Sequence, residues 1–85
     1  MDTSRYQAFL SAAETGSIKN AAEELGDTPS GVSQLIKALE EELGFKLFDR
    51  MGKRVALTSQ GRRFSVCADE ILKQVQIARD LKKEE

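Results

Sequence analysis

The chain has no histidine, no tryptophan and a single cysteine, Cys67, among its 85 residues. A structural zinc site needs four nitrogen or sulfur ligands, which this composition does not provide. The usual Ser-His and Cys-His nucleophile pairs of enzymes require the imidazole that is missing here. A lone thiol cannot close an internal disulfide, which fits a reducing compartment. We therefore expect no metal site, no cofactor and no catalytic residues.

Long apolar runs are missing as well. No segment approaches the roughly 18–20 apolar residues that cross a bilayer, and residues 1–5 lack the basic and apolar regions of a secretion signal. We therefore expect a cytoplasmic chain with no membrane partner. The length allows one small domain, whose thin core dimerisation would support.

Net charge is low, at −1, but it is unevenly distributed. Residues 1–27 carry −3, residues 28–65 carry +3 and residues 66–85 carry −1. A local basic patch on a neutral chain suits a small surface that contacts phosphates, because such contacts depend on local potential. A solvated basic loop explains the charge alone equally well.

Four amphipathic segments predict four helices. In each segment apolar residues recur at helical spacing, and a glycine follows each of the first three segments. Ser17, Thr28 and Thr58 stand where N-caps are expected. The predicted helices cover about residues 3–14, 18–25, 28–42 and 59–83.

Between the third and fourth helices the periodicity changes. Two short strand-like runs around a Met51-Gly52 turn predict a small β-hairpin, with Lys53 and Arg54 at its tip. A hairpin of this size is not stable alone and must pack against the helices.

The fourth helix carries an apolar seam that the rest of the domain is too small to cover. About 25 residues make a rod near 37 Å long, and its apolar positions step by three and four as in a coiled coil. We therefore predict a homodimer formed through this helix. The seam consists of Phe64, Ala68, Ile71, Leu72, Val75 and Ala78.

The second and third helices, joined by a tight turn, predict a helix-turn-helix. The major groove of B-DNA admits one α-helix, whose N-terminal residues reach the base edges. The third helix, about residues 28–42, is polar at that end, and we expect the hairpin, residues 49–56, on the flanking backbone or minor groove. The candidate DNA-binding residues are Thr28, Pro29, Ser30, Ser33, Gln34, Lys37, Arg50, Lys53 and Arg54.

Other interpretations remain open at this point. An ordinary helical bundle would show the same periodicity with a polar face that meets water. A protein-interaction domain would reuse the fold without DNA. The turn length, the polar N-terminal face and the basic hairpin directly after it favour DNA binding. Of the remaining groups, we expect Cys67 to be a buried or half-buried inert thiol and residues 40–42, three glutamates, to form a solvated face.

Five motifs are distributed along the chain from residue 6 to residue 61. They are Tyr6-x-x-Phe9 followed by Gly16-Ser17, the pair Ala21-Ala22, the run Thr28-Pro29-Ser30-Gly31-Val32-Ser33, the run from Leu39 to Arg50, and Val55-Ala56-Leu57-Thr58 with Gly61. Together they resemble the N-terminal DNA-binding domain of LysR-type transcriptional regulators, over about residues 5–80.

The resemblance implies a mostly α, winged helix-turn-helix domain over residues 1–58 with a small β-hairpin as its wing. It also implies a linker helix over residues 59–85 that pairs antiparallel with that of a second subunit. The module would bind an interrupted inverted repeat in double-stranded DNA. A small-molecule effector would bind only to a further domain that these 85 residues lack. A molybdate-responsive regulator has a similar winged domain, but Leu47-Phe48-Asp49-Arg50 and the long last helix favour the LysR type.

Three positions depart from the family's pattern. Members of the family often have Gln where this chain has Pro29, a small apolar residue where it has Asp27, and Ala where it has Gly31. Loss of the Gln removes a base-reading group, so we expect a shifted target preference. Gly31 costs the helix roughly 0.5–1 kcal/mol, and we expect Asp27 to point away from phosphate and to support the turn.

Overall fold

A computed structural model describes residues 1–84 and contains four α-helices and one two-stranded hairpin. The first three helices differ from their predicted bounds by at most one residue, and α4 ends at Asp80 rather than Lys83. A 3₁₀ turn, Leu81–Glu84, follows it. The elements are α1 (Ser4–Thr15), α2 (Ile18–Leu25), α3 (Pro29–Leu43), β1 (Phe48–Met51), β2 (Arg54–Leu57) and α4 (Ser59–Asp80).

All three predicted N-caps are confirmed. The hydroxyl of Ser17 accepts from the Asn20 amide at 3.1 Å, at the start of α2. The Thr28 hydroxyl accepts from the Gly31 amide at 3.0 Å, and Thr58 caps α4 in the same way. These bonds satisfy amides that have no partner within the helix, and so they fix where each helix begins.

The hairpin turn lies one residue further along than predicted. Met51 pairs with Arg54 across the antiparallel strands, so Gly52 and Lys53 form the two-residue turn. Gly52 has a φ of 65°, and a glycine in the first position of a two-residue turn matches the twist of the strands. Lys53 is therefore at the tip, whereas Arg54 begins β2.

The core forms where α1, α3 and the hairpin meet. Phe9 is fully buried, and its ring lies 5.5 Å from those of Phe48 and Phe64. Ala21 and Ala22 of α2 are also buried, which allows this short helix to pack closely. Leu39 and Leu47 complete the centre of the core with side chains that are almost entirely removed from solvent. The arrangement confirms a winged helix-turn-helix head.

Hydrogen bonds from Thr58 and the close approach of Gly61 to Leu47 attach α4 to the start of the hairpin, and we call this contact the joint. The Thr58 amide donates to the Leu47 carbonyl at 3.0 Å, and the Thr58 hydroxyl donates to the Lys46 carbonyl at 2.7 Å. A Cβ added at Gly61 would overlap the Leu47 carbonyl oxygen. The Leu57-Thr58-x-x-Gly61 motif therefore holds the first turn of α4 against the strand that precedes the hairpin turn.

The molecule is elongated because α4 continues past the core, giving a longest dimension of 50 Å. Within residues 1–84, no helix is long and apolar enough to cross a membrane. Over the same residues, no group of three or more potential ligand side chains is placed to hold a metal ion.

Candidate nucleic-acid interface

The N-terminal half of α3 presents a continuous polar face. Pro29, Ser30, Gln34 and Lys37 are exposed, and Ser33 is half-buried. The opposite face of the helix buries Val32, Ile36 and Leu39 in the core, which fixes the direction in which the polar face points. The residues predicted to lie in the groove thus share one side of one helix.

Arg50 joins this face from the hairpin. Its Nη2 donates to the Ser33 hydroxyl at 3.0 Å, although the two residues are 17 positions apart. The groove between α3 and β1 is also lined by Lys37 and Lys46. Helix and hairpin therefore bring three cations to the same edge of the head.

Arg54 occupies a different position from the one that the sequence predicted. Its guanidinium packs over the backbone at Gly16, where an added Cβ would be 2.9 Å from Nη2. The neighbouring Val55 amide donates to the Gly16 carbonyl at 3.0 Å. The start of β2 is thereby tied to the turn between α1 and α2, and Arg54 remains exposed beside this turn.

A basic cleft that sequence reasoning missed lies between this turn and the hairpin. Its lining includes Lys19 of α2 together with Arg50, Lys53 and Arg54. Lys19 lies in the first turn of α2, which Ser17 caps. The sequence does show a capped helix with a cation, Lys19, in its first turn. It does not show that Lys19 faces the hairpin, because the hydrogen bond between Gly16 and Val55 that brings the two segments together joins distant parts of the chain.

Glu40 does not belong to a solvated face, so that prediction was wrong for this residue. Its side chain is only 13% exposed, and Oε2 accepts from the Leu47 amide at 2.7 Å. Glu41 and Glu42 are exposed, and Glu42 pairs with Arg5 at 3.0 Å. Glu40 thus holds the loop that leads from α3 into the hairpin, and so it sets the position of β1 beside α3.

The turn before α3 carries two of the departures from the family pattern. Asp27 Oδ1 accepts from the Thr28 amide at 2.7 Å. A Cβ added at Gly31 would lie 2.5 Å from the same oxygen. The expectation that Asp27 supports the turn is confirmed, but the carboxylate lies against the first turn of α3, the end predicted to face DNA, rather than pointing away from it.

The predicted seam on α4 divides between two surroundings. Ala68 is fully buried in the chain's own core, and the Phe64 ring packs among Tyr6, Phe9 and Phe45. The remaining seam positions are further along the helix: Ile71, Leu72 and Val75 are half-buried and Ala78 is exposed.

Cys67 is exposed, which corrects the expectation of a buried or half-buried thiol. It lines a shallow apolar groove on α4 together with Val66, Ile71 and Val75. Ile77 is also an exposed apolar residue of this helix. The spacing of apolar residues in α4 does not distinguish the solvent-exposed face of the helix from the face that packs on the core, because both faces carry apolar residues.

Two side chains outside the candidate interface have a shifted pKa. Hydrogen bonds from Ser4 lower the pKa of the Asp2 carboxyl, whose Oδ1 accepts from the Ser4 amide at 2.9 Å. On α4, the hydrogen bond and charge of Asp69, 3.1 Å away, raise the pKa of Lys73. Both pairs are exposed, so they stabilise the N-terminus and α4 only slightly.

A family model described as bacterial regulatory helix-turn-helix protein, lysR family, matches residues 3–62. An uncharacterized HTH-type transcriptional regulator of Azotobacter vinelandii, in an ibpB-leuC intergenic region, is 46% identical over 72 residues. That match covers 85% of this chain and 50% of the relative. The chain spans about a quarter of the length of other curated relatives. These relatives are transcriptional regulators, in agreement with the expectation that the chain is not an enzyme.

Two solved structures are similar to this chain in three-dimensional fold. The crystal structure of the CbnR_DBD-DNA complex has a TM-score of 0.92 and 27% identity, covering 99% of this chain and 97% of that one. The BenM_DBD/benA site 1 DNA complex has a TM-score of 0.88 and 30% identity, covering 99% and 98%. The long last helix is included in both matches, because nearly the whole chain is aligned.

Proposed function

The chain belongs to the lysR family of bacterial regulatory helix-turn-helix proteins, and from this premise we propose that it binds double-stranded DNA sequence-specifically as a dimer. Residues 1–58 are the reading head, and the helix that follows is the linker through which two copies pair. The third helix enters the major groove, and the hairpin contacts the flanking backbone or minor groove.

The observation that carries this proposal is the polar N-terminal face of α3 with Arg50 beside it. Gln34 has the amide geometry for paired contacts with adenine, and Ser33 suits a base or a phosphate. Lys37 reaches guanine or phosphate from the next turn. Arg50, Lys53 and Arg54, with Lys19 added, supply the phosphate contacts that position the helix.

The similar solved structures support the same conclusion. The CbnR_DBD and BenM_DBD chains are each seen with DNA, and this chain has their fold over almost its full length. The polar face of α3 is exposed, so a duplex can contact it without displacing a core residue.

Dimerisation follows from the distal part of α4. Ile71, Val75 and Ala78 are incompletely covered by the chain itself, and an antiparallel second helix would bury them. Two heads then place their α3 helices in successive major grooves, about 34 Å apart or a multiple of it. The expected target is an interrupted inverted repeat.

The test is selection of bound sequences from a random duplex library at near-physiological salt. We expect enrichment of an inverted repeat with a fixed spacing between its halves. Binding without enrichment would contradict sequence-specific reading, with Pro29 as the first residue to examine. Absence of binding would contradict the DNA-binding proposal and favour a protein-interaction domain.

A matched pair of variants makes the selection more informative. Lys37→Ala removes a cation from the polar face of α3, whereas Lys82→Ala removes one from the turn after α4. We expect the first variant to bind the selected duplex more weakly and the second to match the parent chain. Equal behaviour of the two variants would place the DNA on another surface.

A further inference from the structure

Asp27 and Gly31 form an interlocked pair at the start of α3. The Asp27 carboxylate occupies the space beside Gly31, where an added Cβ would lie 2.5 Å from Oδ1 and 3.0 Å from Oδ2. Any side chain at position 31 would therefore displace the carboxylate. The two departures from the family pattern are thus one structural feature, in which a glycine makes room for an acid.

The carboxylate changes the electrostatics of the end of α3 that faces the DNA. The N-terminus of a helix carries a partial positive charge that attracts anions. Here the Thr28 amide donates to Asp27, the Gly31 amide donates to the Thr28 hydroxyl, and Pro29 has no N–H. This end of the helix therefore presents a full negative charge, held in place by a hydrogen bond.

We propose that Asp27 limits the affinity of the chain for DNA of any sequence, because its fixed negative charge repels the DNA backbone at the tip of the recognition helix. This inference rests on the proposed DNA-binding function. Nonspecific affinity comes almost entirely from phosphate contacts, so the repulsion lowers binding to every duplex. Contacts from Ser33 and Gln34 to bases add affinity only on a matching sequence, but they leave the repulsion unchanged, so Asp27 lowers binding to matching and non-matching duplexes by a similar factor.

The direct test is Asp27→Asn, which removes the charge and keeps an oxygen that accepts from the Thr28 amide. Affinity is measured on the duplex selected from the library and on a scrambled duplex of equal length, between 50 and 200 mM salt. We expect the scrambled duplex to bind roughly fivefold more tightly, the effect of one charge near a phosphate in water. The salt dependence should steepen by about one unit, and the selected duplex should gain a similar factor, so that the ratio of selected to scrambled affinity stays within about twofold.

Glu41→Gln is the matched control, since it removes one negative charge from the exposed C-terminal half of the same helix. We expect its affinities to stay within about twofold of the parent chain, because salt screens charges beyond about 10 Å. An Asp27→Asn variant that behaves like this control would overturn the proposal. A loss confined to one base pair would also overturn it, since the carboxylate would then be reading a cytosine amino group. Failure of the parent chain to bind any duplex would instead refute the DNA-binding function itself.

The interlock has a test that needs no DNA. Gly31→Ala should raise the melting temperature less when Asp27 is present than when it is absent, because the new methyl group displaces the carboxylate from its hydrogen bond with the Thr28 amide. In an Asp27→Ala background the same change should raise the melting temperature by roughly 3–8 °C, through the better helix propensity of alanine. An equal change in both backgrounds would show that the two residues do not interlock, and would remove the geometric basis of the proposal.

Discussion

The head of the molecule, residues 1–58, and the distal part of α4 differ in how far each buries its own apolar side chains. In the head, Phe9, Val32 and Leu47 are entirely removed from solvent. Along α4, Val66 is 72% exposed and Ile77 55% exposed. The same chain thus contains a closed core and an open apolar helix. The head buries its own apolar side chains, whereas α4 leaves apolar side chains exposed to solvent.

The difference separates two kinds of substitution. Side chains on the polar face of α3 lie outside the closed core, so we expect their replacement to change the proposed DNA binding without unfolding the head. Apolar side chains on the distal part of α4 contribute little to that core, so we expect their replacement to change the proposed dimerisation. Only the joint at Thr58 and Gly61 belongs to both regions.

The largest expected effect comes from breaking this joint. Gly61→Ala places a methyl group against the Leu47 carbonyl, and the backbone must shift to relieve the overlap. We expect the free energy of unfolding to fall by about 2–4 kcal/mol, measured by urea denaturation. Ser59→Ala, two residues earlier on an exposed position of the same turn, should lose less than about 0.5 kcal/mol. Equal stability of the two variants would show that the joint is not rigid.

The next effect separates the distal helix from the head. Ile71→Asp puts a charge on the apolar face of α4 that the head does not cover. We expect the dissociation constant of the dimer to rise about 100-fold. Sedimentation measures the dissociation, and the melting of the monomer shows whether the head is intact. Gln60→Asp, which introduces the same charge at an exposed position in the first turn of α4, is the control and should leave the dimer in place. A dimeric Ile71→Asp chain would refute the seam.

A third substitution tests whether the polar face of α3 reads bases. Gln34→Ala should cost roughly 1–3 kcal/mol on the selected duplex and relax selectivity at a single base pair. Gln76→Ala removes the same amide from the exposed side of α4 and should bind as the parent chain does. Competition assays with single-base variants of the duplex measure both. Losses that are equal on every sequence would assign Gln34 to a phosphate instead.

The smallest effect concerns the cation at the base of the hairpin. Arg54→Ala should weaken binding to all duplexes alike and lower the salt slope by about one unit. Its guanidinium also packs over Gly16, so thermal melting is needed beside the titrations to separate loss of packing from loss of charge. A change in base preference at one position would show that Arg54 enters a groove and reads it.

Helix ends were the most predictable part of the fold. A hydroxyl residue before each segment and a glycine after it specify capping bonds that are local in sequence, as at Ser17 and Thr28. The hairpin turn was misplaced by one residue because strand register depends on pairing across the chain. Neither strand has a strong enough alternation to fix that pairing from sequence alone.

Long-range contacts account for the other errors. Glu40 is drawn inward by the Leu47 amide, seven residues away, and no helical period predicts that bond. Cys67 and Ala68 are adjacent, yet one is exposed and the other buried, since the head covers only one side of α4. The basic cleft around Lys19 required the contact between α2 and the hairpin, which joins segments more than 30 positions apart in the sequence.

The joint at Gly61 also makes α4 a lever. The 22 residues of α4 extend about 33 Å, and hydrogen bonds from Thr58 hold the first turn of the helix against Lys46 and Leu47, directly before β1. A tilt of about 10° at that joint moves the far end of the helix by about 6 Å. A small movement of the free end therefore corresponds to only a small change of angle at the joint.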